Sequence, residues 1–190
     1  MSLRLLAFAA SLRRGSINRR LLGPAVELAR AAGAEMDVAL FAEFEMPMYN
    51  ADVQEANGFP PGAEELARRV RAADGMLIAS PEYNYSLPGT LKNAIDWMSR
   101  MRPMPLRGKS AFLMAASESP VGGVRGLWQL RIPLEGLAVL VYPDMFYLSH
   151  ALQSFDEGGG LKDPKVAERL GGMIRGYVAM AKKVAGKREA

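Results

Sequence analysis

The chain has no cysteine, and only one histidine, His150, among its 190 residues. Disulfides, iron–sulfur clusters, thiolate zinc sites and cysteine nucleophiles are excluded at once. A lone imidazole offers little for a transition metal, so no metal site is expected. Any redox chemistry then has to come from a bound organic cofactor. Nor is there an apolar run near the roughly 20 residues that cross a bilayer. Met1-Ser2-Leu3-Arg4 leads straight into a short apolar run with no cleavage signature, so no signal peptide and a cytoplasmic location are expected. No run of basic residues exceeds two and no nucleic-acid motif occurs, so nucleic acid is not an expected partner.

What is present is the balance of a folded protein: 49% hydrophobic and 23% charged residues. The length suits one domain over residues 1–190. The net charge of +4 reads either as a solvated surface or as attraction for anionic, phosphorylated ligands.

Apolar runs alternate with helical patterns along the chain. Strands are expected at Leu3–Ala9, Met36–Leu40, Gly75–Ser80, Ser110–Ala116 and Val139–Leu148. Helices are expected at Leu21–Ala32, Ala63–Ala73, Gly89–Met101, Val124–Ala138 and Pro164–Lys183, with a loop from Glu45 to Gly62. This alternation predicts an α/β fold, a parallel sheet with helices on both faces. Pro24 and Pro133 fall inside helical patterns, where a kink or a late start is expected. Ligands of such sheets bind at the carboxyl ends of the strands, which directs attention to the loops after strands one, three and four.

After strand one comes Ala10-Ser11-Leu12-Arg13-Arg14-Gly15-Ser16-Ile17-Asn18. Hydroxyls and a glycine ahead of a helix N-terminus suit a terminal phosphate, with Arg13 adding charge. Ser16 serves equally well as a plain helix cap, and the loop alone does not choose between the two. It is neither a Walker loop nor a dinucleotide fingerprint.

After strand three, Pro81-Glu82-Tyr83-Asn84-Tyr85-Ser86-Leu87-Pro88 is a short stiff loop held between prolines. Its backbone can serve the pyrimidine edge of a flavin and its aromatics can shield the ring. After strand four, Ser117-Glu118-Ser119-Pro120-Val121-Gly122-Gly123 contains paired glycines that let a backbone approach a ring closely, although an ordinary turn before a helix explains it as well.

These segments together resemble the NAD(P)H-dependent FMN reductases, a family that includes quinone, azo-dye and chromate reductases. Met46-Pro47-Met48-Tyr49 and the stretch from Phe155-Asp156-Glu157-Gly158 to Asp163 extend the resemblance over nearly the whole chain. It implies a flavodoxin-like three-layer sandwich, with a five-stranded parallel sheet of order 2-1-3-4-5. It implies FMN as cofactor, with its phosphate on the loop of Ser11, Arg13, Ser16, Ile17 and Asn18. The isoalloxazine falls on Pro81, Glu82, Tyr83, Asn84 and Ser86, and is bordered by Ser117, Gly122 and Gly123. The chemistry is carried by FMN, so no catalytic side chain is named. NADPH or NADH passes a hydride to flavin N5 in a ping-pong cycle, and a quinone, an azo compound, a metal oxyanion or free flavin takes the electrons. Arg13 and Arg14 favour NADPH. Homodimers or homotetramers are implied, and Trp97, which widens the apolar stripe of its helix, is the expected interface residue.

Two rivals stay open. An electron-carrier flavodoxin is usually acidic, and this chain is basic; a stable one-electron-reduced state would mark it. A non-redox domain for a phosphorylated ligand would purify colourless. Three further features are set aside. Ser149 and His150 point to opposite faces of a strand and do not make a nucleophile–base pair. Asp156-Glu157 lacks the alternating spacing of a calcium loop. The basic stretch from Lys182-Lys183 to Arg188 is a frayed tail.

Overall fold

The computed structural model describes residues 2–186, so Met1 and the part of the basic tail beyond Gly186 lie outside it. The centre of the sheet is built from apolar runs that stay buried along nearly their whole length. β1 (Leu3–Ala9), β3 (Gly75–Ala79) and β4 (Ser110–Ala116) form this centre. β2 (Ala34–Leu40) is an edge. With β5 at Leu140–Val141 on the other edge, the order is β2-β1-β3-β4-β5, all parallel, with a further short strand on β4. Side chains alternate across the strands and feed two cores. Leu6, Phe8, Ile78 and Leu113 pack under α3 (Pro61–Ala72), α4 (Gly89–Arg100) and α5 (Val124–Gly136). Leu5, Ala7, Leu77 and Phe112 pack under α1 (Ile17–Ala31) and α6 (Pro164–Gly186).

Five details depart from the sequence reading. The fifth strand is split: β5 (Leu140–Val141) and β6 (Phe146–Leu148) both pair with β4, on either side of Pro143, which has no N–H to continue the ladder. Arg131 donates to the freed carbonyl of Tyr142 at 2.9 Å. A short helix, α2 (Ala51–Asn57), lies inside the expected loop; it is capped by Asn50 and buries none of its residues. Helix α1 begins at Ile17, earlier than its apolar stripe suggests. Helices α1 and α5 run unbroken through Pro24 and Pro133, so neither starts late. Each proline frees the carbonyl four residues back, on Arg20 and Gln129; both residues are exposed, so the lost bond falls on the solvent side of the helix. Finally, Lys182 is no frayed end: it lies within α6 and its Nζ donates to the Ala32 carbonyl at 3.0 Å.

Trp97 is fully buried inside its own chain. Its indole Nε1 donates to the Pro47 carbonyl at 2.8 Å, and its ring meets Tyr49 edge-on at a centroid distance of 5.1 Å. The wide apolar face of α4 therefore packs within the chain at Trp97, and that residue is not an interface.

Candidate functional site

The three loops at the carboxyl ends are tied at their roots by hydrogen bonds that carry the ladder past the strands. Ala10 N donates to the Ala79 carbonyl at 2.9 Å, Ser80 N to Met114 at 2.8 Å and Ser117 N to Leu148 at 3.0 Å. A cleft of about 220 Å³ lies between them. Ser11, Arg13, Ser16, Ile17 and Asn18 line it from the first loop, Pro81, Glu82 and Tyr83 from the second, and Ser117 from the third. Nine of the thirteen residues named from the sequence are thus brought to one wall. Ala116 and Glu118 join them without having been expected.

The donor set fits a phosphate monoester such as that of FMN. Ser11 and Ser16 are buried hydroxyls facing the cleft. The first turn of α1 leaves the amides of Ile17 and Asn18 without carbonyl partners, and no acidic residue in that turn neutralises the positive end of the helix dipole. Among the described residues Arg13 makes no ion pair, so its exposed guanidinium stands free beside the cleft. Ser16 does cap the helix, accepting from Arg19 N at 3.3 Å. Cap and phosphate ligand are compatible roles, because the hydroxyl keeps its proton to donate.

Asn18 has a structural task as well. Its Nδ2 donates to the Ala116 carbonyl at 3.0 Å and its Oδ1 accepts from Ala116 N at 2.9 Å. The amide thus bolts the start of α1 to the end of β4 and keeps one N–H for the cleft. Glu118 adds a carboxylate to the same wall, a negative group near the place a phosphate would occupy.

The second loop is a two-residue hairpin. Tyr83 and Ser86 exchange backbone hydrogen bonds of 2.9 and 3.1 Å around Asn84 and Tyr85. Both central residues have left-handed backbone, φ 48° and 67°, the pattern of a type I′ turn. Asparagine tolerates this region; a bulky tyrosine does so at a cost of about 1–2 kcal/mol. A clamp from α5 holds the turn. Arg125 Nε donates to Glu82 at 2.7 Å, and its guanidinium lies 4.1 Å from the centre of the Tyr85 ring. Gly126 N donates to the second oxygen of Glu82 at 3.2 Å. The Glu82 carboxylate, 8% exposed, is therefore engaged in bracing the loop, which leaves its backbone to face the cleft.

Asn84, Ser86, Gly122 and Gly123 do not line the cleft. Asn84 and Ser86 build the hairpin. Gly123 has φ 86° and presses on Ala115, where a Cβ would come within 2.9 Å of the alanine methyl. Gly126, not singled out from the sequence, lets α5 approach the second loop; a Cβ there would meet Glu82 and the Ser86 carbonyl at 3.1 Å. The G-G-x-x-G spacing of 122–126 was the visible signal for this close approach. Neither Ser149-His150 nor Asp156-Glu157 is brought into the cleft. His150 is an exposed left-handed residue, and the Asp156 carboxylate closes a turn by accepting from Gly160 N at 2.8 Å. Among the described residues there is no cluster of side chains able to hold a metal, and no helix long and apolar enough to cross a membrane.

Comparison with known proteins agrees with this geometry. Residues 3–153 match the family model of the NADPH-dependent FMN reductases. The chain is 38% identical over 178 residues to a quinone reductase of Escherichia coli, covering 92% of this chain and 93% of the relative. It is 41% identical over 170 residues to an NAD(P)H-dependent FMN reductase of Pseudomonas aeruginosa, covering 88% and 89%. Among solved structures, the flavoenzyme NAD(P)H:(acceptor) oxidoreductase FerB of Paracoccus denitrificans superposes with a TM-score of 0.83 at 27% identity, covering 95% of this chain and 98% of that one. The fold is flavodoxin-like, with the sheet order 2-1-3-4-5 and one added short strand. The chain belongs to the NADPH-dependent FMN reductase family.

Proposed function

We propose that this protein uses FMN to transfer two electrons from a reduced nicotinamide to a small oxidant, with a quinone as the leading acceptor. The balanced reaction is NAD(P)H plus a proton plus quinone giving NAD(P)+ plus hydroquinone. The observation that carries the reading is the convergence of three loops on one cleft with a phosphate-type donor set, in a chain of this family. Bound FMN supplies the relay that accepts a hydride equivalent from one substrate and delivers it to the next.

The chain's own residues then do the binding and the shaping. Ser11, Ser16 and the amides of Ile17 and Asn18 would hold the phosphate, with Arg13 supplying positive charge. Pro81 to Tyr83 would floor the ring, kept in place by the Arg125 clamp on Glu82. No side chain has to act as a nucleophile. The exposed guanidinium groups of Arg13 and Arg14 support NADPH over NADH. Azo compounds, metal oxyanions and free flavin are the secondary acceptors of this reading. Trp128 and Ile132, exposed apolar residues one turn apart on α5, support a homodimer or homotetramer, which light scattering would detect. A cytoplasmic location accords with the cysteine-free chain.

With one cleft for the flavin and no second nucleotide fingerprint, donor and acceptor should take turns at the same flavin. Steady-state kinetics with NADPH and a benzoquinone should give parallel double-reciprocal lines, with high quinone competing against NADPH. Intersecting lines would mean separate sites. Absence of nicotinamide oxidation by FMN-loaded protein would favour an electron carrier instead.

A further inference from the structure

The Met46-Pro47-Met48-Tyr49 segment has no part in the flavin cleft, yet it is built with care. The Asn93 side chain donates to the Pro47 carbonyl at 2.9 Å and accepts from Tyr49 N at 2.8 Å, and Trp97 donates to the same Pro47 carbonyl. The backbone is pinned on both sides of Pro47, which fixes where the two methionines stand. They flank a second concavity of about 420 Å³, larger than the phosphate cleft and within the range of about 300–1,000 Å³ usual for small-molecule sites.

Its chemistry is unlike that of the cleft. Buried Phe41 and Phe44 contribute to its lining, together with Leu12, Met46 and Met48. Leu12 and Met48 are 58% and 74% exposed, a poor arrangement for apolar side chains with nothing against them. Glu45 is the one ionisable lining residue. The pocket also lies at the right end of the sheet. Leu12 falls between Ser11 and Arg13, which line the phosphate cleft, so one loop separates the two cavities. Thr90, on its far side, stands in the first turn of the helix that the Pro81–Pro88 loop enters.

We propose that this pocket receives the apolar body of an uncharged quinone-type acceptor, and that Glu45 discriminates against acceptors bearing negative charge. This rests on the reductase reading above and narrows its acceptor class. Methionine thioethers are flexible and polarisable and adapt to ring edges, which suits a site that must take in and release a planar ring. An oxyanion would find no cationic side chain here, and its charge would face a carboxylate.

The test uses the FMN-loaded protein. Adding menadione to the oxidised form should move the methyl resonances of Met46 and Met48 in a methionine-labelled sample. Met48→Glu should raise the KM for menadione about tenfold, while leaving the rate of flavin reduction by NADPH unchanged; Met48→Leu should restore the KM. Glu45→Gln should lower the KM for a naphthoquinone sulfonate and leave that for menadione within about twofold. Normal wild-type turnover of quinones with unmoved methionine resonances, or an unchanged menadione KM in Met48→Glu, overturns this inference alone. A wild-type protein that oxidises NADPH yet reduces no quinone overturns the acceptor reading and this inference together.

Discussion

The two ends of the sheet are built on different rules. At the amino ends of β3 and β4, Tyr177 from α6 buries its phenol completely, accepting from Met76 N at 3.1 Å and lying 3.1 Å from the Met76 carbonyl and 3.2 Å from Ser110 Oγ. Burial pushes that phenol well above its ordinary pKa, so it is a neutral strut. Arg4 N donates to the Asp74 carboxylate at 2.9 Å and Asp74 N to the Arg4 carbonyl at 2.7 Å, which knots β1 to the start of β3. At the carboxyl ends, hydroxyls, helix amides and a guanidinium are gathered around a cleft, and the backbone is bent to gather them. Among the described residues, three of the four non-glycine residues with left-handed backbone, Asn84, Tyr85 and His150, stand at this end; Ala138 is the fourth. One end spends its polar groups on each other, while the other keeps donors open for a ligand. Stability should therefore reside at the first and binding at the second, and variants at the two ends should separate the two properties.

The largest effect is expected at the foot. A Cβ on Gly75 would overlap Ser110 Oγ and the Tyr177 hydroxyl and come within 2.9 Å of the Ser110 carbonyl. Gly75→Ala should cost about 3 kcal/mol in urea unfolding, with the folded fraction binding FMN normally. Loss of FMN affinity without loss of stability would erase the distinction. Tyr177→Phe comes next: it strips a buried hydrogen-bonding hub and should cost about 1–3 kcal/mol, again without touching FMN affinity.

At the other end the pattern reverses. Arg13→Ala should weaken FMN about tenfold, leave riboflavin unaffected and leave the unfolding midpoint of the apoprotein where it was. Equal loss for the two flavins would take the phosphate away from Arg13.

The smallest effect concerns neither end. Glu65 on α3 accepts hydrogen bonds from Arg68 and Arg69, which lower its pKa from 4.5 to about 2. A depressed carboxylate contributes stability above its unfolded pKa and loses it as pH falls through the folded one. Glu65→Gln should flatten the stability profile between pH 4.5 and about 2 and leave neutral pH nearly unchanged. An identical acid limb in the two proteins would show that this half-exposed cluster contributes nothing.

What the sequence reveals follows the same division between local and distant causes. Central strands were legible because burial on both faces writes an unbroken apolar run, as in Leu77-Ile78-Ala79 and Phe112-Leu113-Met114. The three loops that line the cleft were legible because turn residues and helix-start residues act locally. Helix α2 left no trace because it buries nothing. Pro143 did signal the break between β5 and β6, but the apolar residues on both sides of it read as one strand. The hardest roles to see were those set by partners far along the chain. Asn18 reaches Ala116, 98 residues away, and Trp97 reaches Pro47, 50 residues away. Periodicity alone cannot separate a tryptophan that pins its own loop from one that meets another subunit.

The central claim, that the carboxyl-end cleft makes this chain an FMN-dependent acceptor of electrons from a nicotinamide, is tested most directly by an anaerobic titration. NADPH is added stepwise to FMN-loaded protein while the flavin absorbance is followed. The account predicts complete bleaching in a single two-electron phase at one NADPH per flavin, with colour returning on addition of a quinone. Flavin that stays oxidised under excess NADPH, or that halts at a stable one-electron stage, would contradict it.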